Sequence, residues 1–202
     1  MAAWLLMMCV ASRHCNSAPR PASCAMEGRG EAIVLIGFMG SGKSSAGELL
    51  ERLTGWARRD TDQMIAESFG MPITEVFDTF GEPEFRRREA EIVAALPHEP
   101  AVVVTGGGVV LRDDNVDALR QLGTIVNLTA DEETLFERVA HRNTRPLLQS
   151  DDPRATLAEL LRVRAPLYRA AADFELETSA LTREEVAQAI LSRVEAFRAN
   201  VS

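Results

Sequence analysis

From about residue 30 onward, the hydrophobic pattern switches repeatedly between two periods. The run AIVLI at 32–36 is continuously apolar and predicts a strand buried on both faces of a parallel sheet. Residues 45–53 place their apolar side chains at helical spacing. The stretch WARR at 56–59 stands where a second strand should lie, although two arginines make it polar. Residues 62–69 predict a short helix, Gly70 to Pro72 a turn, and 73–80 another helix that Gly81 stops. A longer helix follows over 82–96, with Pro83 in its first turn. AVVVT at 101–105 is the clearest strand and runs straight into Gly106, Gly107 and Gly108. A helix over 113–122, a strand over 124–128 and a helix over 131–141, capped by Thr129 or Asp131, come next. Residues 142–153 are polar and contain proline, as a mobile loop does. A helix over 154–171, interrupted near Pro166, a strand over 174–177 and a last helix over 182–197 complete the chain. Five strands separated by helices predict one three-layer α/β/α domain with a five-stranded parallel sheet, whose ligands gather at the carboxyl ends of the strands.

Composition narrows this reading. A chain of 202 residues is long enough for one well-buried core and short for two. A formal charge of −8 argues against a nucleic-acid surface, and no apolar run reaches the roughly 18 residues needed to cross a membrane. Cys9, Cys15 and Cys24 all lie near the amino terminus, so neither disulfides nor zinc can hold the core. The first 26 residues contain no Asp or Glu. An organelle transit peptide has that character, which would place the protein in a plastid or other organelle. A secretory signal over 3–10 lacks a basic n-region. The reading adopted is a start set too early, with Met26 opening the folded protein and a cytoplasmic location. Residues 1–29 are expected to be a disordered extension and 30–202 the domain.

The chemistry starts at GFMGSGKS, residues 37–44, which matches G-x-x-x-x-G-K-[ST] at every fixed position between a strand and a helix. Such a phosphate loop turns its backbone N–H groups toward phosphate oxygens at the positive end of a helix. Lys43 can reach the β- and γ-phosphates, and the Ser44 hydroxyl can ligate Mg²⁺. Lys43 is the only lysine in the chain; the other 21 of its 22 basic residues are arginines. A compact ammonium among phosphates is not interchangeable with a planar guanidinium, so this single exception falls where chemistry demands it.

Asp60 and Asp62 sit at the end of the second strand. One can stand in the outer shell of Mg²⁺ while the other accepts the proton of a substrate hydroxyl. A helix N-cap and a first-turn acid would look the same, and local sequence leaves both open. Three consecutive glycines at a strand end leave room for a close ligand. Arg145, in the predicted mobile loop, can close over a transferring phosphoryl group or be an ordinary exposed arginine. Arg87 and Arg88 read as a solvated face. His14, His98 and His141 show no metal or triad spacing.

The ordered set of phosphate loop, D-T-D at 60–62, G-E-x-x-F-R at 81–86, the triple glycine, R-P-L-L at 145–148 and R-x-x-x-Y at 164–168 resembles the shikimate kinases, of the nucleoside-monophosphate-kinase-like P-loop fold. The likeness spans about residues 32–193. It implies an ATP- and Mg²⁺-dependent kinase of shikimate, acting at the 3-hydroxyl, with a mobile lid at about 142–153. By that resemblance Gly40, Ser41, Gly42, Lys43, Ser44 and Ser45 hold the ATP phosphates, with Arg138 near the adenine and Arg145 over the phosphates. Ser44 and Asp60 serve the Mg²⁺. Asp62 binds the shikimate hydroxyls and acts as base, Arg86, Arg164 and the strip Gly106, Gly107 and Gly108 hold its carboxylate, and Phe85 lines the ring pocket. Lys43, Asp62 and Arg145 form the catalytic set. The implied partners are ATP and shikimate, with no nucleic acid or membrane, and the protein is expected to be a monomer. A kinase of another polyol acid such as gluconate, and a non-catalytic nucleotide-binding relative, are the alternatives; the complete catalytic set and the paired arginines argue against both.

Overall fold

The computed structural model describes residues 29–140 and 152–201. Five parallel strands, β1 Ala32–Gly37, β2 Ala57–Asp60, β3 Ala101–Val104, β4 Gly123–Thr129 and β5 Phe174–Glu177, form one sheet in the order β2-β3-β1-β4-β5. Seven helices are described: α1 Lys43–Thr54, α2 Thr61–Phe69, α3 Ile73–Ala94, α4 Asp113–Leu122, α5 Glu132–Ala140, α6 Pro153–Ala171 and α7 Arg183–Val201. A short 3₁₀ turn over Val109–Leu111, absent from the sequence reading, follows the glycine triplet.

β1 is buried along its whole length because it is central and covered on both faces. Its alternate side chains feed two cores. Ala32, Val34 and Ile36 join Val116, Leu119, Leu135 and Leu157 from α4, α5 and α6. Ile33 and Leu35 join Ala46 and Leu50 of α1 and Val186, Ala187 and Ile190 of α7. Each fully buried side chain of this size contributes on the order of 1.5–3 kcal/mol, so β1 anchors both outer layers. A third, satellite cluster of Ile65, Val76 and Phe85 packs α2 against α3, away from the sheet.

β2 is a strand despite its arginines because it is an edge strand. Arg58 and Arg59 point to opposite sides, toward Glu51 and Glu99, where water reaches. The expected break between residues 80 and 82 is present as a kink: Gly81 has φ 77 and ψ 171 inside α3, a backbone setting that suits glycine. The expected interruption near Pro166 is not present. α6 runs through it, since one missing N–H removes one ladder bond while Leu157, Arg164 and Tyr168 are buried on the same helix. α7 reaches Val201, beyond the expected end at 197. The amino-terminal extension up to residue 28, and the predicted lid apart from Asp152 and Pro153, lie outside the described residues.

Crossovers leave β1 on opposite sides, to β3 and β2 on one and to β4 and β5 on the other. Such a switch point opens a crevice at the carboxyl ends of the strands. A cavity of about 630 Å³ lies there, lined by the loop after β1, Asp60 and Asp62 after β2, Gly107 after β3, and Thr178 after β5.

Candidate active site

The loop from Gly37 to Gly42 turns through three left-handed glycines, with φ of 138, 82 and 96 at Gly37, Gly40 and Gly42. A Cβ at Gly37 would lie 2.4 Å from the Leu128 carbonyl of the neighbouring strand, so that glycine is fixed by space as well as by φ. Gly42 caps α1 without a side chain, which leaves the first N–H groups of the helix for an anion. Lys43 Nζ donates to the carbonyls of Gly37 and Phe38 at 2.8 and 2.9 Å, which folds the loop around its own ammonium. Gly40, Ser41, Gly42, Lys43, Ser44 and Ser45 all line the cavity.

The glycine triplet is a strip against which the other chemistry-bearing side chains are pressed. A Cβ on Gly106 would stand 2.4 Å from Asp62 Oδ1, and one on Gly108 2.3 Å from Arg86 Nη2. The Gly107 carbonyl accepts a hydrogen bond from the buried Tyr168 hydroxyl. Burial pushes the Tyr168 hydroxyl up to about 12, against the pull of the Arg164 and Arg86 guanidiniums, so it stays a donor. Arg164 is itself buried, one helical turn before Tyr168, close enough for its charge to act on that hydroxyl. The strip therefore gathers an acid, two guanidiniums and a phenol from α2, α3 and α6.

Asp60 caps α2: its Oδ1 accepts from the N–H groups of Asp62 and Gln63 at 3.1 and 3.3 Å. The capping reading of the D-T-D motif thus holds for Asp60, and its Oδ2 still faces Arg58 at 3.5 Å on the cavity side. Thr61 Oγ1 accepts from the Gly106 N–H, which ties the start of α2 to the strip. Ser44, Asp60 and Asp62 line one cavity. Mg²⁺ takes hard oxygen donors, keeps several waters and needs only one or two protein ligands beside phosphates, so this donor set fits it. Among the described residues no group of three or more His, Cys, Asp or Glu forms a closed metal cage.

Arg86 is half-buried and held from both sides along its helix, by Glu82 at 3.2 Å and Glu89 at 2.8 Å. Burial works against its charge, and the two carboxylates outweigh burial, so its pKa is raised. Phe85 is buried in the α2–α3 cluster, stacked on Phe77 at 4.5 Å. Like Arg86, Arg164, Gly106 and Gly108, it stands outside the lining of the cavity that holds the phosphate loop. Its ring carries the Arg86 guanidinium at 5.0 Å, so it supports that arginine from behind. Arg138 is anchored across the cavity by Gly40 O, Thr178 Oγ1 and Thr178 O at 3.3, 3.2 and 3.1 Å. Arg145 lies outside the described residues.

Sequence reasoning passed over Glu89. It is completely buried, with one oxygen on Arg86 and Oε1 without a partner among the described residues. Burial pushes its carboxyl up, and Arg86 opposes the shift. It stands three residues after Arg86, but Glu91 stands at the same spacing from Arg88, so spacing alone does not single it out.

A phosphate loop at the switch point of a parallel sheet, facing a paired acid and a guanidinium strip, defines a P-loop kinase fold. Residues 39–195 match the family model described as shikimate kinase. A shikimate kinase of Thermodesulfovibrio yellowstonii is 46% identical over 164 residues, covering 81% of this chain and 94% of the relative. One from Neisseria meningitidis serogroup C is 44% identical over 163 residues, covering 80% and 95%. The solved shikimate kinase from Acinetobacter baumannii in complex with shikimate superposes with a TM-score of 0.77 at 34% identity, covering 87% of this chain and 98% of that one. The chain belongs to the shikimate kinase family.

Proposed function

We infer that the chain transfers the γ-phosphoryl group of ATP to the 3-hydroxyl of shikimate, giving 3-phosphoshikimate and ADP. The observation that carries the reading is the glycine strip. It sets Asp62 at one end and Arg86 at the other, with Tyr168 and Arg164 between, beside a phosphate loop. A substrate with hydroxyls at one end and a carboxylate at the other matches that polarity.

In this reading Asp62 accepts the proton of the attacking hydroxyl. Arg86 and Arg164 each offer a fork to the carboxylate, and the backbone of the strip lies against it. Glu89 keeps Arg86 in place, and Phe85 supports it. Lys43 leaves its carbonyl partners for the phosphates, which the N–H groups of the loop and the first turn of α1 also hold. Ser44 and Asp60 would hold Mg²⁺, which neutralises phosphate charge when bound. Arg138 lies toward the adenine, and Arg145 meets the phosphates from the lid. Because phosphoryl transfer needs mainly alignment and charge neutralisation, these parts suffice without a covalent intermediate. The reading retains a monomer in the cytoplasm, and its need for ATP favours a compartment inside the cell.

ADP release measured with ATP and Mg²⁺, with shikimate and then with gluconate, tests this. Release that requires shikimate is expected. Release with gluconate alone, or with neither acid, overturns the assignment.

A further inference from the structure

The phosphate loop and Asp62 occupy one part of the cavity. The part facing α7 is walled by Arg138, Thr178, Leu181, Arg183 and Val186. Its polar capacity can be counted. Thr178 Oγ1 is already engaged with Ser41 O at 3.2 Å, Thr129 O at 2.9 Å and Arg138. Arg138 spends three donor contacts on Gly40 and Thr178, and whatever it retains is again a donor. Leu181 and Val186 offer only apolar surface. That leaves Arg183, exposed and without a hydrogen bond or ion pair among the described residues. It is the first residue of α7, where a cation opposes the helix dipole, so helix stability does not explain it.

Among the described residues, every side-chain group free to meet a base on this wall is therefore a donor or apolar. Adenine is distinguished from guanine by its 6-amino donor, which needs an acceptor. Guanine instead presents the O6 and N7 acceptors that match a guanidinium fork. A flat guanidinium also stacks on either purine. We propose that Arg183 is the base-contacting residue of this cavity and that the site binds guanine nucleotides within about ten-fold of adenine nucleotides. This rests on the reading of the cavity as a nucleotide site and adds its base preference.

The test is calorimetric binding of ADP and of GDP, each with Mg²⁺ and without shikimate, to the full chain and to its Arg183→Ala and Arg183→Lys variants. The expected result is a GDP Kd no more than about ten-fold above that of ADP. In Arg183→Ala it rises at least about five-fold, the lower end of what a bidentate guanine contact is worth, and ADP weakens less. Arg183→Lys keeps the charge and loses the fork and plane, so it should resemble Arg183→Ala for GDP. A GDP Kd more than ten-fold above that of ADP, or one that moves less than five-fold in Arg183→Ala, overturns the proposal. ADP and GDP binding as expected without shikimate-dependent turnover would remove the kinase assignment and leave this inference standing. Turnover with GDP excluded would do the reverse.

Discussion

Alanine at Gly106 should separate the stability of this protein from its activity. Gly106 does not occupy the left-handed region, so its backbone accepts alanine without strain. Its only severe conflict is with the Asp62 carboxylate, whose Oδ1 would lie 2.4 Å from the new methyl. Ordinary contact begins about 1 Å further out, so the acid must move by about that much. It can do so cheaply, since it is the end of a side chain that borders a cavity. A misplacement of about 1 Å at a reacting group costs on the order of 10²-fold in rate, or about 2.7 kcal/mol of barrier. Meanwhile a glycine-to-alanine change at a compatible site stabilises by about 0.4–1 kcal/mol through the unfolded chain. Gly106→Ala should therefore melt no lower than wild type, while kcat for shikimate falls about a hundred-fold. Gly108→Ala is the matched contrast. Gly108 has φ −105, again suitable for any residue, but its methyl would strike Arg86 at 2.3 Å. Moving that guanidinium stretches its 2.8 Å bond to Glu89, so the shikimate KM should rise more than kcat falls. Steady-state kinetics in both substrates, with thermal melts of each variant, decide the matter. A Gly106→Ala enzyme with kcat within two-fold of wild type would falsify the placement of Asp62 as the base held by this strip.

Arg164→Ala removes a buried guanidinium from the carboxylate end. By the usual cost of unpairing such a contact, about 2–5 kcal/mol, the shikimate KM should rise at least thirty-fold with the ATP KM nearly constant; equal losses for both substrates count against the assignment. Glu89 has its carboxyl pushed above the usual 4.5 by burial. The unfolded chain therefore releases that proton first, and stability falls as pH rises from about 4.5 through the raised folded value. Glu89→Gln should flatten the fall in urea-melt midpoints over that window while raising the shikimate KM; a slope identical to wild type refutes the burial argument. Asp131 is held down to about 2 by hydrogen bonds from Ser179, then Thr134. Its contribution is present above about pH 4 and lost as pH falls toward 2, so the stability gap between wild type and Asp131→Asn, read from urea melts, should close between pH 4 and pH 2. A gap that persists at pH 2 would contradict the shift.

What could be read from the sequence was local. The phosphate loop declares itself because strand, glycines and helix are contiguous, and the glycine triplet because three such residues at a strand end cost too much backbone entropy to be idle. The D-T-D motif was legible as two acids but not as a division of labour. Asp60 turned out to spend one oxygen on the α2 cap, and only the pairing of β2 with β3 brings Asp62 against Gly106. β2 could not be identified by apolar content because an edge strand does not need it. Glu89 was invisible for the opposite reason. Among the acids and arginines of 82–91 nothing local distinguishes the one that is buried, and its burial is a property of how α3 lies under the strip.

The tethering of the two ends of the strip differs, and this bears on how the substrate is held. Asp62 belongs to the first turn of α2, which is bound to the sheet through the Asp60 cap and the Thr61–Gly106 hydrogen bond. Its position is thus set by β2 and β3 and depends little on the satellite cluster. Arg86 sits beyond the Gly81 kink, on a helix whose own cluster of Ile65, Val76 and Phe85 is separate from the two sheet cores. It meets the sheet side of the site at Gly108, and Glu89 and Glu82 fix its direction from within α3. On the proposed reading the base would therefore be placed by the rigid sheet, and the carboxylate anchor by a helix packed on a small core. Changes that loosen the α2–α3 cluster, such as truncating Val76, should reach the shikimate KM through Arg86 before they reach the proton transfer at Asp62.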